Sequence, residues 1–181
     1  MSFFVADALW LMFPAYVANA SAVLFAGTRP IDLGKNFSDG RRILGPGKTF
    51  RGLIGGTMTG MTVGVVQQAV RVHTLLGVPS FDPIFVVITL SFGALLGDIV
   101  KSFFKRRLGF ERGASFPIAD QYDFVVGALL FTYIFFPEWL TLNFVAPVFI
   151  AVIVLTAPIH LVVNYLGFRL GKKNVWWYLF K

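Results

Sequence analysis

The sequence predicts an all-α integral membrane protein of five transmembrane helices, with its N-terminus outside and its C-terminus in the cytoplasm. Three observations carry this. The chain of 181 residues is 56% hydrophobic and only 14% charged, against about 25% charged residues in a soluble domain, and its mean hydropathy is +0.73. Five apolar segments approach the ~20 residues needed to cross hydrocarbon, at about 3–27, 52–72, 83–104, 119–137 and 143–168. The basic residues gather at one set of segment ends, and Lys and Arg mark the cytoplasmic side. A single polytopic domain, 1–181, follows, with cytoplasmic loops 28–51 and 105–118.

Within the first segment, Ala18-Asn19-Ala20 resembles a cleavage site. No basic residue precedes the apolar run, and the run is long enough to span, so it reads as a retained helix. Next comes the longest polar stretch, with Arg29, Lys35, Arg41, Arg42, Lys48 and Arg51. The second segment carries Gly52, Gly56, Gly60 and Gly64, a stripe that lets another helix approach closely. Gln67 and Gln68 fall at its outer end, and Arg71 is the one basic residue on that side. Gly93, Gly97 and Gly127 predict similar close contacts between the third and fourth segments. The third segment ends in Lys101, Lys105, Arg106 and Arg107, with Arg112 beyond. The fifth holds Pro158, His160 and Asn164, and Arg169, Lys172, Lys173 and Lys181 follow it. His160 and Asn164 share a helical face and can line a site. Trp176, Trp177 and Tyr178 among the terminal lysines suit an interfacial anchor. With topology accounting for the formal charge of +7, nucleic acid is not needed as a partner. The absence of cysteine excludes disulfides and thiolate zinc sites.

Chemistry concentrates between residues 97 and 127. Asp98, Lys101, Ser102 and Lys105 are spaced i, i+3, i+4 and i+7, one face of a helix. Asp120 and Asp123 share a face at the start of the next helix. Each ionisable group near a membrane helix centre costs roughly 2.5–3.5 kcal/mol on insertion scales. Hard cations such as Mg²⁺ take oxygen ligands together with substrate phosphates, so Asp98, Asp120 and Asp123 are candidate ligands. The plainer alternatives are pairing with Lys101 or Lys105 and, for Asp120, a helix cap. Upstream, Gly45-Pro46-Gly47-Lys48-Thr49-Phe50-Arg51-Gly52 lacks the full P-loop pattern, since Arg42 stands at the first glycine position. Its glycines, Lys48, Arg51 and the following helix N-terminus still suit an anion. A transporter would carry polar residues through the membrane, whereas the outer half here is almost wholly apolar.

Pro46-Gly47-Lys48-Thr49-Phe50-Arg51-Gly52 resembles the P-G-K-T-aromatic-x-G motif of the membrane-bound CDP-diacylglycerol synthases, or phosphatidate cytidylyltransferases. Gly97-Asp98 through Ser102, Phe104-Lys105-Arg106 and Pro117 to Asp120 and Asp123 is similar to that family's S-x-x-K-R and D-R-x-D signature. A Pro-Gly-His-Gly-Gly segment is missing, Gln121 replaces the final Arg, and Glu111-Arg112 stands where Lys-Asp is usual. The short chain, and the loop from Asp32 to Gly45, resemble the archaeal branch, the CDP-archaeol synthases. No D-G-x-x-A-R of the CDP-alcohol phosphotransferases is found.

The resemblance implies a cytidylyltransferase that joins CTP to an isoprenoid glycerol-ether lipid phosphate. It implies Mg²⁺ as cofactor on Asp98, Asp120 and Asp123, with these and Lys105 catalytic. It further implies substrate binding by Lys48, Thr49, Arg51, Lys101, Ser102 and Arg106. The active site would face the cytoplasm from the cell membrane. Phosphatidic acid as acceptor and a non-enzymatic transporter are the alternatives. A homodimer is left open.

Overall fold

The computed structural model describes residues 3–74, 77–110, 114, 116 and 118–171. Six helices form in them: α1 (Phe4–Leu24), α2 (Phe50–Thr74), α3 (Val86–Arg107), α4 (Ala119–Phe135), α5 (Pro137–Asn143) and α6 (Ala146–Arg169). Among the described residues, extended pairing is confined to two isolated bridges in the first polar loop, Pro30 to Thr49 and Asn36 to Arg42. α1, α3 and α6 are long and apolar enough to cross a membrane. α2 is longer, at 25 residues, but diluted by Gly, Thr and Gln, and α4 has 17 residues.

Two boundaries differ from the sequence reading in a way that bears on the site and the packing. α3 runs through Arg107, so Lys105 and Arg106 lie in a helix and not in a loop. Lys and Arg are good helix formers, and cations favour the C-terminal turn. The fourth segment breaks at Phe136, which leaves helical geometry before Pro137 starts α5. Proline lacks the donor to continue the helix and restricts the residue before it. That seven-residue helix was not foreseen; it places the buried Trp139 beside Phe81. Trp176, Trp177, Tyr178 and the Glu111-Arg112 pair lie outside the described residues.

The glycine stripe sets the packing. Gly52, Gly56, Gly60 and Gly64 are all buried on α2. A Cβ at Gly56 would lie 2.8 Å from the Ala18 carbonyl oxygen, and one at Gly60 2.6 Å from that of Pro14. α2 therefore seats directly on the α1 backbone, and α3 closes over both. A second crossing joins α3 to α4, where a Cβ at Gly93 would lie 2.7 Å from the Gly127 carbonyl oxygen. Around these contacts Leu11, Met12, Leu90, Phe124 and Val152 form a dry core.

The end of the bundle away from the acidic cluster is clamped. Trp10 Nε1 donates to Pro79 O at 3.1 Å and Trp139 Nε1 to Ser80 O at 2.8 Å. Arg71 Nε donates to Val78 O at 2.8 Å, and Gln68 Oε1 accepts from Phe81 N at 2.9 Å. Gln68 and Arg71 thus satisfy the turn before α3, far from the acidic cluster. Overpacking a filled interior costs about 1–3 kcal/mol. Gly60→Leu is therefore expected to lower the melting temperature in detergent by several degrees, while the exposed Met58→Leu on the same helix leaves it unchanged.

Candidate active site

The polar loop between α1 and α2 folds around Asp32, whose side chain is fully buried. Arg42 donates to it through Nη2 at 2.5 Å and Nε at 3.2 Å. The backbone N–H groups of Gly34, Leu44 and Gly45 donate at 3.1, 3.1 and 3.0 Å. Burial pushes the carboxyl up, but the Arg42 guanidinium and these amides outweigh it and hold it at about 2. The loop is fastened to the end of α3. Arg107 donates to Asp39 Oδ1 at 2.8 Å and to Arg42 O at 2.6 Å, with its guanidinium over Phe37. Arg41 returns a bond to Arg107 O at 3.0 Å. At the far end, Thr49 Oγ1 accepts from Gly52 N at 3.1 Å and Gly27 N at 3.2 Å. It caps α2 and ties it to the chain leaving α1.

Under this loop lie the ionisable groups. Lys101 Nζ is 2.7 Å from Asp123 Oδ2, 3.2 Å from Asp120 Oδ1 and 3.2 Å from Asp98 Oδ1. Lys48, from the glycine-rich turn, pairs with Asp98 Oδ2. Lys105, nearly buried, sits 3.2 Å from both oxygens of Asp120 and donates to Ala114 O at 2.5 Å. Asp120 also accepts from Phe116 N at 2.8 Å, across Ile118, whose φ of 68° is strained for a β-branched residue. Three carboxylates on α3 and α4 thus face three ammonium groups from the glycine-rich turn and α3, and the set is formally neutral.

A cavity of about 290 Å³ opens beside the cluster. It gathers Lys48, Thr49, Asp98, Lys101, Ser102, Lys105, Arg106, Asp120 and Asp123, nine of the ten residues singled out from the sequence. Arg51 is the exception: it is exposed on the first turn of α2, with its methylenes over Gly27. Thr49 spends its hydroxyl on the helix cap, and Ser102 Oγ donates to Leu44 O at 3.3 Å, so both hold the loop. His160 and Asn164 of α6 line the same cavity, as their shared face allows, and Asn19 of α1 joins them. The loop-forming role of Asp32 was missed; an acid before a Gly-rich basic stretch is a weak signal without the fold.

Hard oxygen donors around one cationic position suit Mg²⁺. The three carboxylates meet at the Lys101 ammonium, which holds the position they share. Among the described residues, no three His, Asp or Glu side chains, these aspartates included, are set as a ready metal-ligand group. The chemistry of the donor set suits the ion, while its shared position is taken by the Lys101 ammonium.

Apolar helices with a charged cavity at one end define a membrane-embedded helical protein built to handle a charged ligand. The chain matches the family described as CarS-like CDP-archaeol synthase over residues 1–177. A CDP-archaeol synthase of Methanocella arvoryzae is 54% identical over 174 residues, covering 92% of this chain and 100% of that protein. That of Methanospirillum hungatei is 49% identical over 168 residues, with the same coverage. A solved structure described as an intramembrane enzyme for archaeal membrane lipid biosynthesis aligns with a TM-score of 0.73 at 36% identity, covering 89% of this chain and 94% of that one. This chain belongs to the CDP-archaeol synthase family.

The Asp32 hub gives the loop a predictable acid response. A carboxyl held at about 2 when folded, against about 3.9 when free, contributes stability that is complete above about pH 4 and is lost as pH falls toward 2. Hydrogen exchange of the loop is expected to rise across that window in the wild type. In Asp32→Asn the loop exchanges fast at neutral pH, and the acid-dependent rise disappears.

Proposed function

We infer that this chain transfers the cytidylyl group of CTP to 2,3-di-O-geranylgeranylglyceryl phosphate, an isoprenoid glycerol-ether lipid phosphate, releasing pyrophosphate and leaving unsaturated CDP-archaeol in the bilayer. Family membership across almost the whole chain supports the reaction. The observation that carries it onto these residues is the convergence of Lys48, Lys101 and Lys105 with three aspartates in one cavity at a membrane-helix end.

An oxygen of the lipid phosphate attacks the α-phosphorus of CTP. The new P–O bond forms as the bond to the β-phosphate breaks, and its electron pair leaves on pyrophosphate. The nucleophile is already an anion, so the barrier lies in bringing two polyanions together and in stabilising the leaving group. Lys48 stands on the glycine-rich turn at the N-terminus of α2, where a phosphate also meets free backbone N–H groups. Lys101 and Lys105 turn from carboxylates to phosphates, and Arg106 borders the same opening. The resting cluster is neutral, so a triphosphate adds charge that its own residues do not match. Asp98, Asp120 and Asp123 are the residues that would hold Mg²⁺, which would supply that neutralisation. Thr49 and Ser102 hold the loop, and Arg51 stays outside the reaction.

Five spans, α1, α2, α3, α4 and α6, with the N-terminus outside and the cavity facing the cytoplasm, account for the basic residues at the cavity end. α2 and α4 complete the set because their polar and small residues face other helices. CTP then reaches the cavity from water, and the prenyl chains stay in lipid.

Purified protein with labelled CTP, Mg²⁺ and the ether lipid phosphate is expected to give labelled lipid and pyrophosphate, and chelation with EDTA to stop it. Phosphatidic acid run in parallel identifies the ester-lipid branch if it alone is converted. Asp123→Asn is expected to abolish turnover with the melting profile retained; an active variant would remove the metal role. Lys48→Ala is expected to raise the KM for CTP by about tenfold, while Arg51→Ala leaves it near wild type. Equal effects of the two would place the phosphates elsewhere.

A further inference from the structure

Of the three long apolar helices, α6 is the least enclosed by the bundle, yet it carries a fully buried Asn164 and the ring of His160. Its inward stripe repeats every four residues: Val148, Val152, Thr156, His160, Asn164. Polarity rises along that stripe toward the cavity. Two bonds fix its register. Tyr16 OH meets Thr156 Oγ1 at 2.8 Å, and Tyr122 OH donates to Ile153 O at 2.9 Å. Pro158 follows and leaves a helix carbonyl without its usual donor. Beyond it, the last turns bring His160 and Asn164 to the cavity wall. Asn164 Nδ2 lies 3.2 Å from His160 Nδ1 and 3.4 Å from Nε2, and the imidazole stacks on buried Phe124 at 6.4 Å. The ring is therefore held in place from two sides.

The two walls differ in chemistry. The one built by the glycine-rich turn, α3 and α4 carries the lysines, Arg106 and the aspartates of the cavity. The α6 wall offers an imidazole and an amide and no carboxylate or ammonium group, and the other faces of α6 near them, Val162, Leu166 and Phe168, are exposed and apolar. A ligand that reaches this wall along α6 comes out of hydrocarbon. We propose that His160, positioned by Asn164, binds the phosphate of the lipid acceptor and aims its oxygen at the nucleotide held by the lysine wall. This rests on the cytidylyl-transfer reading. An imidazole N–H suits that task, because it can bind a phosphate oxygen without carrying the fixed charge that a second buried ammonium would bring into lipid.

Steady-state kinetics in mixed micelles test it. His160→Ala is expected to raise the KM for the ether lipid phosphate by about tenfold, with the KM for CTP within about twofold of wild type. His160→Gln, which keeps a donor, is expected to recover most of the loss. A rise in the CTP KM of the same size would assign the wall to the nucleotide, and an unchanged lipid KM would remove the role; either overturns the proposal. Wild-type protein supplies a readout free of mutation and turnover. Modification of His160 by diethylpyrocarbonate, followed by mass spectrometry, is expected to be slowed by the lipid phosphate and not by CTP. Protection by CTP alone also overturns it. Protection by lipid phosphate in a protein that forms no CDP-lipid would keep the subsite and remove the reaction.

Discussion

One ammonium shared by three carboxylates governs this structure. Lys101 lies within 3.2 Å of oxygens on Asp98, Asp120 and Asp123. In low dielectric an unpaired charge is costly, and a buried pair is only as good as its geometry and remaining hydrogen bonds. Lys48 and Lys105 complete that geometry from the glycine-rich turn and from the next turn of α3. The cluster therefore needs three separate chain segments in register, and it collapses into uncompensated charge if one is displaced. That sensitivity suits a site whose resting charges are balanced and whose ligand alters the balance.

The backbone meets this demand through glycine. Gly97 lies against the main chain of Asp123, and Gly93 against Gly127. With side chains there, α3 and α4 would stand farther apart and the carboxylates of the two helices would no longer reach one ammonium. The stripe on α2 does the same for α1 and brings Lys48 over the end of α3. Close packing in a membrane interior is thus what sets the electrostatics, since without a hydrophobic drive between helices, small residues decide how near they come.

Order is distributed unevenly between the two ends. The turn before α3 is clamped by Trp10, Gln68, Arg71 and Trp139. The loop between α1 and α2 depends instead on Asp32 and on the exchange between Arg41 and Arg107. Both sets of bonds satisfy backbone groups that have no partner in lipid. The second set leaves an opening beside charged groups, so the charged cavity is confined to one end of the bundle.

Much of this was legible in the chain. Apolar run lengths gave the helices, and the four-residue glycine spacing gave the α1–α2 contact, because both are set by local geometry. The i, i+3, i+4, i+7 spacing placed Asp98, Lys101, Ser102 and Lys105 on one face, and a resemblance in two short motifs carried the family. Other features depended on contacts between distant residues. Sequence spacing could not separate Lys48, which reaches Asp98 fifty residues away, from Arg51, which turns outward three residues later. Nor could it show that Thr49 and Ser102 spend their hydroxyls on the loop, or that His160 and Asn164 line one cavity with the aspartates. Periodicity determines which residues share a face of one helix; which faces meet is decided by how closely the helices pack, and that is a property of the whole bundle.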